Sequence, residues 1–211
     1  MRYIFVLLAT VLFSAASLNA ATVGESPLAG GGSPDGWSGI TVLNGYGGLP
    51  AGESVSTFNY YAARSGGDNN VQALIAKQEG DVYTIWEVGP IGTPDVDGEH
   101  SLAWGSSTIP SDGNTYHPAI WQWKTGVDDA EGGLVPFNGG GGSGMFQQNQ
   151  NGTEYVPAVG EELFPAGQQH SSGAGGRAYQ INFQTVVPEP STAILAAFAL
   201  IPLLCLRRKR K

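Results

Sequence analysis

The 211-residue chain has one cysteine, and it has few basic residues outside its two ends. A lone cysteine, Cys205, excludes an intramolecular disulfide, so packing must hold the fold, with or without help from a metal. No cysteine follows the N-terminal apolar run, which excludes a lipoprotein. No segment of the body keeps a helical period, and the 32 glycines lower helix propensity, so we expect strands and turns.

Basic residues are almost absent from the middle of the chain. Segment 21–190 holds all 18 acidic residues but only four basic ones, so its net charge is −14. The four are Arg64, Lys77, Lys124 and Arg177. Such a surface repels nucleic acid and anionic lipid headgroups, and we therefore expect no nucleic-acid partner. It suits an exported soluble protein or the binding of divalent cations.

The N-terminus has the order of a secretory signal peptide. Arg2 precedes an apolar run, Tyr3–Leu12, and small residues follow. The run is too short for a stable transmembrane helix. We therefore expect a signal peptide over residues 1–21, which signal peptidase removes by cutting after Ala20 or Ala21.

The last 25 residues have three parts. The first is an extended hinge, because proline removes backbone donors and restricts the residue before it; it comprises Val187, Pro188, Glu189 and Pro190. Residues 191–206 carry no charge and would span about 24 Å as a transmembrane helix, short of the ~30 Å membrane core. A basic end then acts as a cytoplasmic membrane stop; it comprises Arg207, Arg208, Lys209, Arg210 and Lys211.

This tail resembles the PEP-CTERM sorting signal, which combines a Pro-Glu-Pro motif, an apolar helix and a basic terminus. Pro188, Glu189 and Pro190 match that motif position by position. The resemblance covers residues 187–211 only. It implies an exosortase-type sorting enzyme as a partner and a transient anchor in the inner membrane. It also implies a final place on the cell surface or in the extracellular matrix of a bacterium that secretes exopolysaccharide.

Residues 22–186 alternate short β-type runs with turn residues. Many short strands at this spacing predict an all-β domain, a β-sandwich that is jelly-roll-like. Glu79-Gly80-Asp81, between two such runs, predicts a tight hairpin. In the last run Tyr179, Ile181 and Phe183 alternate with polar residues, which predicts one buried face. The predicted strands are Ile40–Leu43, Val55–Ala63, Val71–Lys77, Val82–Val88, Ser101–Trp104, Ala119–Lys124, Met145–Gln148, Glu154–Val156 and Ala178–Val186.

Tryptophans are the candidate ligand contacts of the body. They are Trp86, Trp104, Trp121 and Trp123. Aromatic rings on a sheet face stack against sugar rings, and Trp121 and Trp123 share one face of their predicted strand. The alternative is that all four fill the core between two sheets. We favour a non-enzymatic body that serves as a structural or glycan-binding module, with exopolysaccharide as a ligand.

Asp95, Asp97 and Glu99 form the densest acidic cluster. Calcium takes about six to eight oxygen ligands, often from closely spaced carboxylates, so the cluster is a candidate calcium site; solvated turn residues are the alternative. The cluster is also similar to the Glu-x-Asp-x-Glu strand of jelly-roll glycoside hydrolases, which implies a secreted glycan hydrolase as the alternative function. It departs from that pattern, because an aspartate takes the first position and Gly98 interrupts the strand.

Nothing else in the sequence predicts catalytic residues. His100, His117 and His170 are far apart, and their spacing does not require them to meet. No Gly-x-Ser-x-Gly nucleophile elbow and no phosphate-binding loop occurs.

Overall fold

The computed structural model describes residues 21–30, 32–34, 39–63, 66, 68–125, 133–139, 145–148, 156–164, 170–172 and 177–188. These residues form fourteen strands and one short 3₁₀ helix, Asn44–Tyr46. The strands are β1 (Thr22–Gly24), β2 (Ser33–Pro34), β3 (Gly39–Val42), β4 (Ser54–Ala62), β5 (Asn69–Glu79), β6 (Val82–Gly92), β7 (Gly98–Ala103), β8 (Thr115–Lys124), β9 (Pro136–Gly139), β10 (Met145–Gln148), β11 (Glu162–Leu163), β12 (His170–Ser172), β13 (Arg177–Tyr179) and β14 (Ile181–Val186).

The strands pair antiparallel throughout, in three sheets. The order is β1-β14-β4-β7 in a four-stranded sheet and β11-β6-β5-β8-β3-β10-β12 in a seven-stranded sheet, and β13-β9-β2 form the third. The described part of the chain is therefore all-β, as the sequence predicts. Its curled antiparallel sheets are consistent with a β-sandwich.

The main core lies between the four-stranded and the seven-stranded sheet. Phe58 and Phe183 enter it from β4 and β14, with ring centroids 5.2 Å apart. Ile75 and Ile120 enter it from β5 and β8 on the opposite side. All four side chains are fully buried, so apolar burial between the two sheets is the main source of stability.

The central predicted strands are confirmed, and so is the hairpin. β3 and β4 begin and end within one residue of their predicted bounds, whereas β5, β6 and β8 are longer than predicted. Glu79 pairs with Val82, so β5 and β6 are joined by the two residues Gly80 and Asp81. Gly80 has φ +62°, a conformation that glycine adopts without steric strain.

The last predicted strand, Ala178–Val186, is wrong as a single strand. It divides at Gln180, so that β13 pairs with β9 and β14 pairs with β4 in another sheet. Tyr179, Ile181 and Phe183 are buried in the core, as predicted. Asn182, from the face expected to meet solvent, is also buried, because the N-terminal segment covers it.

Some predictions fall outside the described residues. These are the signal peptide over residues 1–20, the apolar helix over 191–206, the basic end and most of the strand predicted at Glu154–Val156. Within the described residues, no helix has the length and hydropathy needed to cross a membrane.

Candidate functional site

The four candidate tryptophans do not form one exposed row. Trp104 is buried, donates Nε1–H to Glu87 Oε1 at 3.3 Å and packs beside Phe183 in the main core. Trp86 is half-buried on the core side and meets Tyr116 edge to face, with centroids 5.0 Å apart. These two indoles therefore line the space between the sheets.

Trp121 and Trp123 lie on the other face of the seven-stranded sheet. They are two residues apart on β8, and their rings stack with centroids 3.8 Å apart and planes 12° apart. Trp121 is 4% exposed, whereas Trp123 is half-buried. The prediction that they share a face of one strand is confirmed, and Trp123 is the ring of the pair that reaches solvent.

A second apolar cluster surrounds this pair. We call it the outer cluster, and its buried members are Ile40, Val42, Leu74, Ala76, Tyr83, Ile85, Ala119, Trp121 and Leu163. Val88, Trp123 and Phe164 pack against it and are only partly buried. Alternation along β8 separates the two clusters, because Ile120 enters the main core and its neighbours Ala119 and Trp121 enter the outer cluster. The outer face is thus an aromatic surface with a partly exposed edge.

His117 lies on the same face of β8 and has polar partners at both ring nitrogens. Nδ1 lies 3.2 Å from the Gly47 carbonyl oxygen, and Nε2 lies 2.8 Å from Gln78 Oε1. Its ring is 5.9 Å from that of Tyr83, which in turn meets Phe164 edge to face. Burial lowers the pKa of His117 below its usual value, although the contact with Gly47 opposes the shift. The imidazole is therefore neutral near pH 7 and acts as a hydrogen-bonding part of the surface.

The sequence contained a signal for this surface that the tryptophans alone did not reveal. His117, Ala119, Trp121 and Trp123 occupy alternate positions of β8, so they must share a face once the strand begins at Thr115 rather than Ala119. Tyr83 joins them from β6, which is beyond the reach of local alternation.

The acidic residues lie elsewhere, at the edge of the four-stranded sheet. Asp95 and Asp97 are exposed in the connection between β6 and β7, and Glu99 is exposed on β7 itself. Nearby, His100 Nε2 lies 2.9 Å from the Val96 carbonyl oxygen, and its ring stacks on Tyr60. Across the described ranges, no three His, Cys, Asp or Glu side chains gather in an arrangement suited to a metal ion. Calcium at this cluster stays a prediction.

The three carboxylates also fail to reproduce the strand of jelly-roll hydrolases. β7 begins at Gly98, so Asp95 and Asp97 precede it and only Glu99 belongs to the strand. Along β7 exposure alternates, with Glu99 on the solvent side and His100 turned inward. The arrangement therefore does not place the three carboxylates on one strand.

The predicted sorting motif begins where the last strand ends. β14 ends at Val186, and Val187 and Pro188 are both exposed. Glu189, Pro190 and the basic residues Arg207, Arg208, Lys209, Arg210 and Lys211 lie outside the described residues. Comparison of the chain with protein-family models, with curated proteins and with solved structures found no match.

Proposed function

We propose that the chain is an exported protein that a C-terminal tail directs to the cell surface or the extracellular matrix, through an exosortase-type enzyme. Residues 191–206 and Arg207–Lys211 hold it briefly in the inner membrane before processing. The observation that carries this proposal is the exposed exit of the chain at Val187 and Pro188, directly after β14. An enzyme that reads the hinge meets two exposed residues there, Val187 and Pro188, which lie outside any strand.

The tail is tested by replacing Pro188, Glu189 and Pro190 together with alanine. We expect the variant to stay in the membrane fraction with its tail attached, because the recognition motif is lost. Glu162→Ala, a change of one exposed acidic residue on β11, is the matched control and should be processed normally. Release of the triple variant at the wild-type rate would contradict the sorting proposal.

We propose that the body is a non-enzymatic, jelly-roll-like module that is structural or binds glycans at the outer face. Support comes from the stacked pair of Trp121 and Trp123, with Trp123 half-buried at the edge of an aromatic cluster. Sugar rings pack on aromatic faces through apolar contact, and neighbouring polar groups set their orientation. Gln78 and His117 are polar groups on this face, beside Tyr83. His117 lies six residues along β8 from Trp123, or about 20 Å at ~3.3 Å per residue. With a net charge of −14 over residues 21–190, a neutral exopolysaccharide is favoured over an anionic one.

Trp123 and Trp86 make a matched pair for the glycan test. Both are half-buried indoles, but they lie on opposite faces of the seven-stranded sheet. On a glycan array, we expect Trp123→Ala to weaken binding of the best ligand by about tenfold, equivalent to ~1.4 kcal/mol. Trp86→Ala should leave the affinity unchanged in a protein that remains folded. Equal losses in both variants, or binding that survives Trp123→Ala, would argue against the outer face.

Calcium binding is tested in two ways: by glycan arrays with and without the ion, and by thermal unfolding. If Asp95, Asp97 and Glu99 bind it, calcium raises the thermal unfolding midpoint, because a ligand of the native state stabilises that state. The shift should disappear in Asp97→Asn but persist in Asp81→Asn, a change in the exposed β5–β6 turn. Release of sugar from an array ligand, abolished by Asp97→Asn, would instead support the alternative of a secreted hydrolase.

A further inference from the structure

Ala21 is bound into the four-stranded sheet through its carbonyl oxygen. Thr185 donates its backbone N–H to that oxygen at 2.9 Å, and Thr185 Oγ1 lies 3.3 Å from the same atom. Thr185 is fully buried, and its hydroxyl also contacts a carboxylate oxygen of Glu53. Ala21 therefore belongs to a polar cluster at the end of β14.

The residues after Ala21 complete the edge of the same sheet. β1 pairs antiparallel with β14, and Val23 is buried in the main core. Beyond β1, Glu25 donates its N–H to Ile181 O at 2.9 Å and accepts from Asn182 Nδ2 at 2.8 Å. The backbone from Ala21 to Glu25 is thus an integral part of the fold.

The two possible leader cuts have different consequences for this edge. A chain that begins at Thr22 has lost the Ala21 carbonyl, so the buried N–H of Thr185 loses its acceptor. A chain that begins at Ala21 keeps both contacts to Thr185.

We propose that signal peptidase cuts between Ala20 and Ala21, which makes Ala21 the first residue of the mature body. This inference rests on the proposed export of the chain. It also places both processed ends at one corner of the body, because Thr22 pairs with Gln184 and the tail leaves just after Val186. Leader and tail therefore leave the sheet side by side.

The direct test is N-terminal sequencing and intact-mass measurement of the full chain after export in a Gram-negative host. We expect a mature N-terminus that reads Ala-Thr-Val-Gly, residues 21–24. Removal of the leader by a cut at any other position, including one that gives a start at Thr22, would overturn the inference and leave export intact. A chain that keeps its whole leader would overturn the proposed export as well, so the two failures are distinguishable.

Two leucine substitutions give a second, independent test. Ala20→Leu places a bulky residue before the proposed cut, whereas Ala21→Leu places it after the cut and keeps the backbone carbonyl that Thr185 uses. We expect Ala21→Leu to be cut at the wild-type position. Ala20→Leu should stay uncut or be cut after Ala21, and the latter product should unfold about 2–10 °C lower than wild type. Normal cutting of Ala20→Leu together with failure of Ala21→Leu would refute the assignment.

Discussion

Gln122 supplies a side-chain acceptor to Leu134 and Val135, two residues that lie just before β9 and outside any strand. It lies on β8 with its side chain 1% exposed, and its Oε1 accepts the backbone N–H groups of both Leu134 and Val135, at 2.9 and 2.8 Å. Leu134 and Val135 are fully buried in the main core. One amide oxygen therefore satisfies two buried donors that lie just before β9.

Gln122→Leu keeps the size of the side chain but removes this acceptor. A buried donor left without a partner costs about 1–3 kcal/mol, so two of them should lower the free energy of unfolding by about 2–6 kcal/mol. Urea unfolding of the exported protein measures this loss as a lower midpoint with an unchanged m-value.

Gln184→Leu is the matched control for Gln122→Leu. It makes the same substitution at an exposed position of β14 and should change the stability by less than about 0.5 kcal/mol. The reasoning would be refuted if Gln122→Leu were as stable as this control, because the two N–H groups would then have found other partners at no cost.

Three further changes test other parts of the fold. Burial holds the pKa of His117 below 6.5 in the folded state, so the unfolded state binds more protons. The free energy of unfolding should therefore fall as the pH drops below about 6.5. His117→Gln should flatten this part of a stability–pH curve. Gly92→Ala directs a Cβ into the buried Tyr60 ring and should cost about 1–3 kcal/mol in thermal unfolding, whereas Gly105→Ala meets nothing within 4 Å and should be neutral. Phe183→Ala removes a fully buried ring and should cost about 3–5 kcal/mol by urea unfolding; a loss below about 1 kcal/mol would contradict the assigned core.

The alternation of side chains between the two faces of a strand correctly predicted several interior strands of the fold. β4 and β8 are interior strands of their sheets. The period of two assigns side chains to faces correctly along β8 and over Phe58–Ala62 of β4. It fails at Val55, which enters the same core as Phe58 because the pairing of β4 with β14 shifts register there. The β5–β6 hairpin was also predictable from local sequence, because a glycine between two β-type runs indicates a tight turn, and Gly80 lies in the two-residue connection. In the candidate site, the same period placed Trp121 and Trp123 together.

The strand predictions were wrong where one segment of the chain covers another segment that is distant in sequence. The run Ala178–Val186 looks continuous, yet Gln180 donates its N–H to Pro136 O and accepts from the N–H of Tyr61, so it links two sheets. Neither hydrogen bond can be predicted from the sequence of the run itself. Strand β1 was likewise missed, because three residues after a leader carry no period and its pairing with β14 spans most of the chain.

Side-chain amides explain why polar residues at these places are buried rather than solvated. Gln180 Oε1 accepts the N–H of Ala29. Asn182 Nδ2 donates to the carbonyl oxygen of Glu25, and Asn182 Oδ1 accepts a hydrogen bond from Asn59 Nδ2 on β4. Each amide supplies the donor or acceptor that an irregular, glycine-rich segment lacks. A chain with one cysteine has no disulfide to tie such segments down, so these amides carry that role. In the run Ala178–Val186, the polar residues Gln180 and Asn182 therefore indicate a covering segment, whereas Gln184 is exposed to solvent.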